Sequence, residues 1–297
     1  MTQPTHVSRS PFLLQLEFPL VKERTPDRNL HKGGRSFYFF DFDDNVMHLD
    51  TTISVFENKT GEEKMLTTRE FAIASGALGK PGEWEQFGIR PDDATGSFRR
   101  FRDLPEESLA GRQQPFLEDV AHALAKHEVE WRGPSWEVFS HAVFNERPIA
   151  IVTARGHEPE VMRAGIAQLC RAGHLPGEPN YLAIFPVSNP TIAHDLSNGR
   201  GRRSVPELKR AAIVRAVEIA MEKYGNNPFH RFGVSDDDSS NLALILDAMA
   251  ELKQRYPQNS FFVIDTGAHP VEKTEVLVAG QSADDESPME QLPLFRS

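Results

Sequence analysis

An intrachain disulfide is excluded at the outset, because the sequence holds a single cysteine, Cys170, and a crosslink needs two. Such usage suits a reducing compartment, and a cytoplasmic location is expected. Long apolar runs are missing as well. Nothing approaches the roughly 20 consecutive apolar residues that span a bilayer. The most apolar stretch near the start, Phe12 to Val21, is interrupted by Glu17 and Pro19, so no signal peptide is expected. Positive charge is in deficit: 33 Lys and Arg stand against 43 Asp and Glu, a formal net charge of −10. That balance opposes a surface that coats nucleic acid non-specifically, while leaving room for a local basic patch. There is no Walker motif, no Gly-rich phosphate loop around Gly33-Gly34 and no internal repeat. At 297 residues the chain is long enough for one large domain, or for a domain with an insertion.

What the sequence does hold is the run Phe37-Tyr38-Phe39-Phe40-Asp41-Phe42-Asp43-Asp44. Four aromatic residues suit a strand buried on both faces of a parallel sheet. In such sheets ligands bind where strands end at their carboxyl side. Asp41 and Asp43 stand at that end, and period-two geometry points both to one side while the chain stays extended. Two carboxylates so close repel each other unless a cation or a proton lies between them.

Further strands are expected at Ile149 to Val152, Tyr181 to Val187, Arg231 to Ser235 and Ser260 to Asp265. Helical patterns fall at about Gln114 to Lys126, Ser135 to Asn145, Glu158 to Ala172 and Asn241 to Arg255. Ser204-Val205-Pro206-Glu207 reads as a capping box opening a helix that runs to about Tyr224. The alternation predicts an α/β fold with a doubly wound parallel sheet. Residues 1–34 read as an N-terminal arm. Residues 57–111, rich in Gly and Pro, read as an irregular inserted cap or lid with a short helix over Thr67 to Ala77. The core is expected over 35–56 and 112–272, and 273–297 as a flexible acidic tail.

Asp41-Phe42-Asp43-Asp44-Asn45-Val46 resembles the first motif of the haloacid dehalogenase superfamily, an Asp-x-Asp after a hydrophobic strand. Ile149-Ala150-Ile151-Val152-Thr153 resembles the second motif, and Lys209 follows at a distance that suits the third. Phe232-Gly233-Val234-Ser235-Asp236-Asp237 resembles the fourth, a strand closed by an acidic pair. A short acidic motif alone is weak; the order of the four pieces carries the resemblance.

The resemblance implies a Rossmann-like core and a phosphatase that works through an aspartyl-phosphate. Asp41 would be the nucleophile and Asp43 the general acid and base. Thr153 would hydrogen-bond the transferring phosphoryl group, and Lys209 would offset its growing charge. Arg202 or Arg203 is the alternative source of that positive charge. Mg2+ is the implied cofactor, held by Asp41, the main-chain carbonyl of Asp43, Asp236 and Asp237. Asp238 reads as a helix N-cap instead. Arg155 either contacts substrate or pairs with a surface acid, and His157 reads as an exposed loop residue. Phe98-Arg99-Arg100-Phe101-Arg102 reads as a solvated basic face in preference to an anion site.

Gln291, Leu292, Leu294 and Phe295 resemble the short peptide by which bacterial replication and repair proteins dock on the DNA sliding clamp. The alternative is a tail end that folds back on the core. The expected function is a Mg2+-dependent phosphomonoester hydrolase acting on a small phosphate ester. Alternatives are a phosphotransferase, a polynucleotide-end phosphatase recruited by the clamp, and a non-catalytic protein tethered to it.

Overall fold

The computed structural model describes residues 23–277 apart from 93, 200, 202 and 269. Phe12 to Val21, Arg202 and the peptide Gln291 to Phe295 lie outside the described residues. The aromatic run forms β1 (Ser36–Phe40), and its side chains alternate between two cores, Phe37 and Phe39 entering one and Phe40 the other. That period-two division is what a strand covered on both faces requires.

After β1 come β2 (Thr52–Glu57), β3 (Glu63–Thr67), α1 (Thr68–Ser75), β4 (Phe87–Gly88) and α2 (Glu106–Leu109). The chain continues through α3 (Pro115–Leu124), α4 (Glu128–Trp131), α5 (Trp136–Phe144) and β5 (Pro148–Thr153). Then follow α6 (Pro159–Arg171), β6 (Asn180–Pro186), α7 (Pro190–Leu196) and α8 (Val205–Tyr224). The last elements are β7 (Arg231–Asp236), α9 (Ser239–Arg255), β8 (Ser260–Asp265) and β9 (Glu272–Glu275).

The main sheet has six strands in the order β6-β5-β1-β7-β8-β9. All neighbours are parallel except β8 and β9, which run antiparallel. The fold is therefore α/β with a mixed, mostly parallel sheet. One face is covered by α8 and α9, whose Leu208, Ala212, Ala216, Ile245 and Met249 pack on Phe37, Phe39, Val152, Phe232 and Val263. The other is covered by α3, α5 and α6, through Phe116, Val120, Phe139, Met162 and Ile166 packed on Phe40, Ile149 and Ile151. Proline near the first helical position opens α3, α6, α7 and α8, where its missing N–H has no intrahelical partner to lose.

Chain order reverses at β1. The path leaves β1 for β5 and β6 on one side, then returns to β7 and β8 on the other. The carboxyl end of β1 is thus the topological switch point, where open α/β sheets place their ligands.

Two expectations are corrected. Residues 57–111 are not irregular: β2, β3 and β4 form a second, antiparallel sheet in the order β3-β2-β4. Its central strand begins at Thr52, inside the stretch assigned to the core. Of its strands β3 is hard to read because it is mostly exposed, burying only Leu66, whereas β2 buries Ile53 to Phe56. Residues 273–275, expected in the acidic tail, instead belong to β9, which pairs with β8 across Asp265–Glu272 to Phe262–Glu275. The described end of the N-terminal arm is pinned: the Thr25 N–H donates to Asn145 Oδ1 at 2.6 Å, and Asp27 pairs with Arg147 at 2.7 Å.

Candidate active site

Parallel strands deliver their last residues to one edge of the sheet. Asp41 follows β1 directly, and its N–H donates to the Ser235 carbonyl at 3.0 Å, which carries the β1–β7 ladder one residue further. Asp236 closes β7 and Thr153 closes β5. Asp41, Asp236 and Asp237 each offer a carboxylate oxygen within 4.8 Å of the others. Asp238 is outside this group and exposed, immediately before α9. Its N–H donates to Asp236 Oδ1 at 3.0 Å, and Asn241 Nδ2 donates to the same oxygen at 3.0 Å.

Lys209 sits early in α8, opened by the Ser204–Glu207 capping box. A cation there opposes the helix dipole. Its ammonium is nonetheless buried, 3.2 Å from Asp41 Oδ1 and 2.9 Å from Asp236 Oδ2. Burial works against the Lys209 charge, but Asp41 and Asp236 outweigh it and hold its pKa above the ordinary lysine value. Burial pushes the Asp41 carboxyl well up; Lys209 opposes the rise, and Asp236, Asp237 and Asp43 add to it. Asp237 is pushed up to about 7, first by burial and then by Asp236 and Asp44. Three crowded carboxylates, all oxygen donors with one ammonium against them, suit a hard divalent cation.

Beneath the carboxylates Asn45 is fully buried. Its amide donates to the Asp41 carbonyl at 3.1 Å and to Ser235 Oγ at 3.0 Å. Its Oδ1 accepts from Ser135 at 2.8 Å and Thr266 at 2.7 Å. These bonds tie the ends of β1, β7 and β8 into one polar layer. Asp44 has a φ of 56°, in the left-handed region. Burial would raise its pKa, yet hydrogen bonds from His48 and Thr68 lower it. The Thr68 bond, 2.5 Å long, comes from the first residue of α1 and ties the second sheet's helix to the loop after β1.

Asp43 lies on the other side of this loop. Its Oδ2 accepts from Thr153 Oγ1 at 3.2 Å. Arg155 grips both oxygens, with Nη2 to Oδ1 at 2.6 Å and Nε to Oδ2 at 2.9 Å. Arg155 has no exposure. The remaining contacts of its guanidinium are Thr51 Oγ1 at 2.6 Å and His157 Nε2 at 3.3 Å, with the rings of Phe101 and Phe116 each 4.8 Å away. The surface-acid expectation for Arg155 is corrected: the buried guanidinium pairs with the carboxylate of Asp43.

His157 is also corrected, being fully buried instead of exposed. Its Nδ1 lies 2.7 Å from Asp103 Oδ1. Burial lowers its pKa, and the Asp103 bond resists that shift. The basic run 98–102 is largely paired. Arg99 meets Glu63 and Arg100 meets Asp119, while Phe101 is buried. Arg102 lies against Gly156, where an added Cβ would come within 2.1 Å of its Nη1.

The structure therefore brings Asp41, Lys209, Asp236 and Asp237 together, and joins Asp43 to Thr153. Thr51, Asp103, His157 and Asn45 were not anticipated. Asn45 carried a signal, standing four residues after Asp41, and His157 stands likewise four after Thr153; Thr51 and Asp103 belong to segments with no strand-end pattern. No family model matches the chain, and no curated protein or solved structure matches it.

Proposed function

We propose that this chain is a Mg2+-dependent phosphomonoester hydrolase of the haloacid dehalogenase type, acting through an aspartyl-phosphate. The observation that carries the reading is the grouping of Asp41, Asp236 and Asp237 with Lys209 at the switch point of the sheet. Asp41, Asp236, Asp237 and the Asp43 carbonyl would hold the metal. A bound Mg2+ supplies the positive charge that lets a phosphate approach these carboxylates.

In the first step an Asp41 oxygen attacks phosphorus. The phosphorus–oxygen bond to the alcohol breaks, and Asp43 gives that oxygen a proton. In the second, water attacks phosphorus, Asp43 takes its proton, and the bond to Asp41 breaks, releasing inorganic phosphate and the ionised carboxylate. Lys209 steadies the Asp41 carboxylate and the negative charge gathered on the phosphoryl oxygens. Thr153, tied to Asp43, lines the same edge.

The test is a trapped intermediate. Wild-type protein mixed with a labelled phosphate ester and Mg2+, then quenched in acid, should retain label that hydroxylamine removes. Asp41→Asn should retain none and turn over nothing. Turnover by folded Asp41→Asn protein sinks the mechanism.

A further inference from the structure

The grip on Asp43 does not end at Arg155. Arg155 Nη1 faces His157 Nε2 at 3.3 Å, and His157 Nδ1 faces Asp103 Oδ1 at 2.7 Å. The two contacts fix the tautomer. A guanidinium can only donate, so Nε2 is the acceptor; a carboxylate accepts, so Nδ1 carries the proton. The other Asp103 oxygen accepts from the Glu158 N–H at 2.6 Å. The Gly156 N–H donates to the Phe101 carbonyl at 2.9 Å, so the 98–103 segment is bound to the turn that bears Arg155 and His157.

The geometry points to Asp103 and His157 as positioning residues for the acid–base Asp43, acting through Arg155. This rests on the phosphatase reading above. Neither residue touches the reacting atoms. Asp103 holds the His157 ring and its tautomer. His157 then fixes one arm of the guanidinium, whose other edge sets the plane of the Asp43 carboxylate. Asp103 lies within the insertion, so the placement of that segment and the placement of the acid–base carboxylate are one structural unit.

A positioning role for a proton-transfer group has a signature that general damage lacks. The proton from Asp43 matters when the leaving alcohol is a poor leaving group and hardly at all when it is an acidic phenol. The experiment is therefore kcat/KM, with Mg2+, for an alkyl phosphate and for an activated aryl phosphate. It uses the full chain, Asp103→Asn, His157→Phe and His157→Gln, with thermal melts to establish folding. Groups that orient a first partner are worth ~10–100-fold when lost. Asp103→Asn and His157→Phe should lose that much on the alkyl phosphate and little on the aryl phosphate. His157→Gln, which keeps one donor and one acceptor, should recover part of the alkyl activity.

Equal losses on both esters, or none, by folded Asp103→Asn overturn the proposal while leaving the phosphatase reading intact. Should His157→Phe fail to fold, the decision passes to Asp103→Asn, whose carboxylate is partly exposed. A wild-type chain that forms no acyl-phosphate and hydrolyses neither ester overturns the reading and the proposal together.

Discussion

The two sides of the loop after β1 are built differently. The side holding Asp41, Asp236 and Asp237 stands on strand ends, and main-chain pairing between β1 and β7 sets its spacing. The side holding Asp43 is set chiefly by side chains, with Arg155, His157, Thr51 and Asp103 drawn from turns and from the insertion. A backbone ladder fixes position through many bonds that no single substitution removes. In a side-chain chain the links from Arg155 to His157 and from His157 to Asp103 hold by a single contact each, and either one is a point of failure. The first side should thus be robust in shape and sensitive in charge; the second should be the reverse.

The largest effect should come from charge on the strand-end side. Asp41→Asn keeps the shape and the ladder but has no nucleophilic carboxylate, so activity should fall to the uncatalysed background. Lys209→Met should be costly in stability too. It strips the ammonium from Asp41 and Asp236, and breaking a buried pair in this way typically costs ~3–5 kcal/mol. Chemical denaturation of metal-free protein measures it. A Lys209→Met protein as stable as wild type would mean that the carboxylates do not depend on that ammonium.

Metal comes next in size. A ligand present at 100 times its dissociation constant stabilises the fold by ~2.7 kcal/mol, which for a chain this long is a rise of roughly 4–5 °C in melting temperature. Mg2+ should give such a rise in wild type and little in Asp237→Ala or Asp236→Ala. Asp238→Ala should respond like wild type, because its carboxylate is outside the cluster. A loss confined to Asp238→Ala would move the metal by one residue in the acidic triplet.

The same contrast explains what could be read from sequence. Strand ends announce themselves: an aromatic or aliphatic run stops at a carboxylate, and parallel pairing then guarantees that Asp41, Thr153 and Asp236 share one edge. The capping box at Ser204 likewise placed Lys209 early in its helix. The Asp43 side offers no such rule. Arg155 and His157 follow Thr153 as ordinary polar residues, and whether they point out or in depends on Phe101, Phe116 and Asp103, none of them neighbours in sequence. In the second sheet β3 is illegible for a related reason, while β2 buries Ile53 to Phe56. A strand with one buried residue, Leu66, has almost no hydrophobic period to detect, and Gly and Pro nearby read as irregular chain.

The smallest effect tests whether His157 is held as the neutral imidazole the contacts require. Burial lowers its pKa below the usual value, Arg155 acts in the same sense, and Asp103 and Asp43 oppose. Above about pH 6.5, the ordinary imidazole value, His157 is neutral folded and unfolded, and contributes no pH dependence. Below it the unfolded chain binds a proton that the folded site resists, so stability falls with acidification until the lowered pKa is passed. His157→Gln cannot titrate and should show a shallower loss of stability from pH 7 to about 5 than wild type. His230, which burial also holds below its usual value, contributes a slope of the same sign in both proteins, so the difference between them isolates His157. Denaturant midpoints across that range give the two slopes. An equal slope, or a steeper one in His157→Gln, would mean that His157 takes up its proton at least as readily folded as unfolded. The link between Asp103 and Arg155 would then be a charged one, with the imidazolium donating at Nδ1 and unable to accept from the guanidinium.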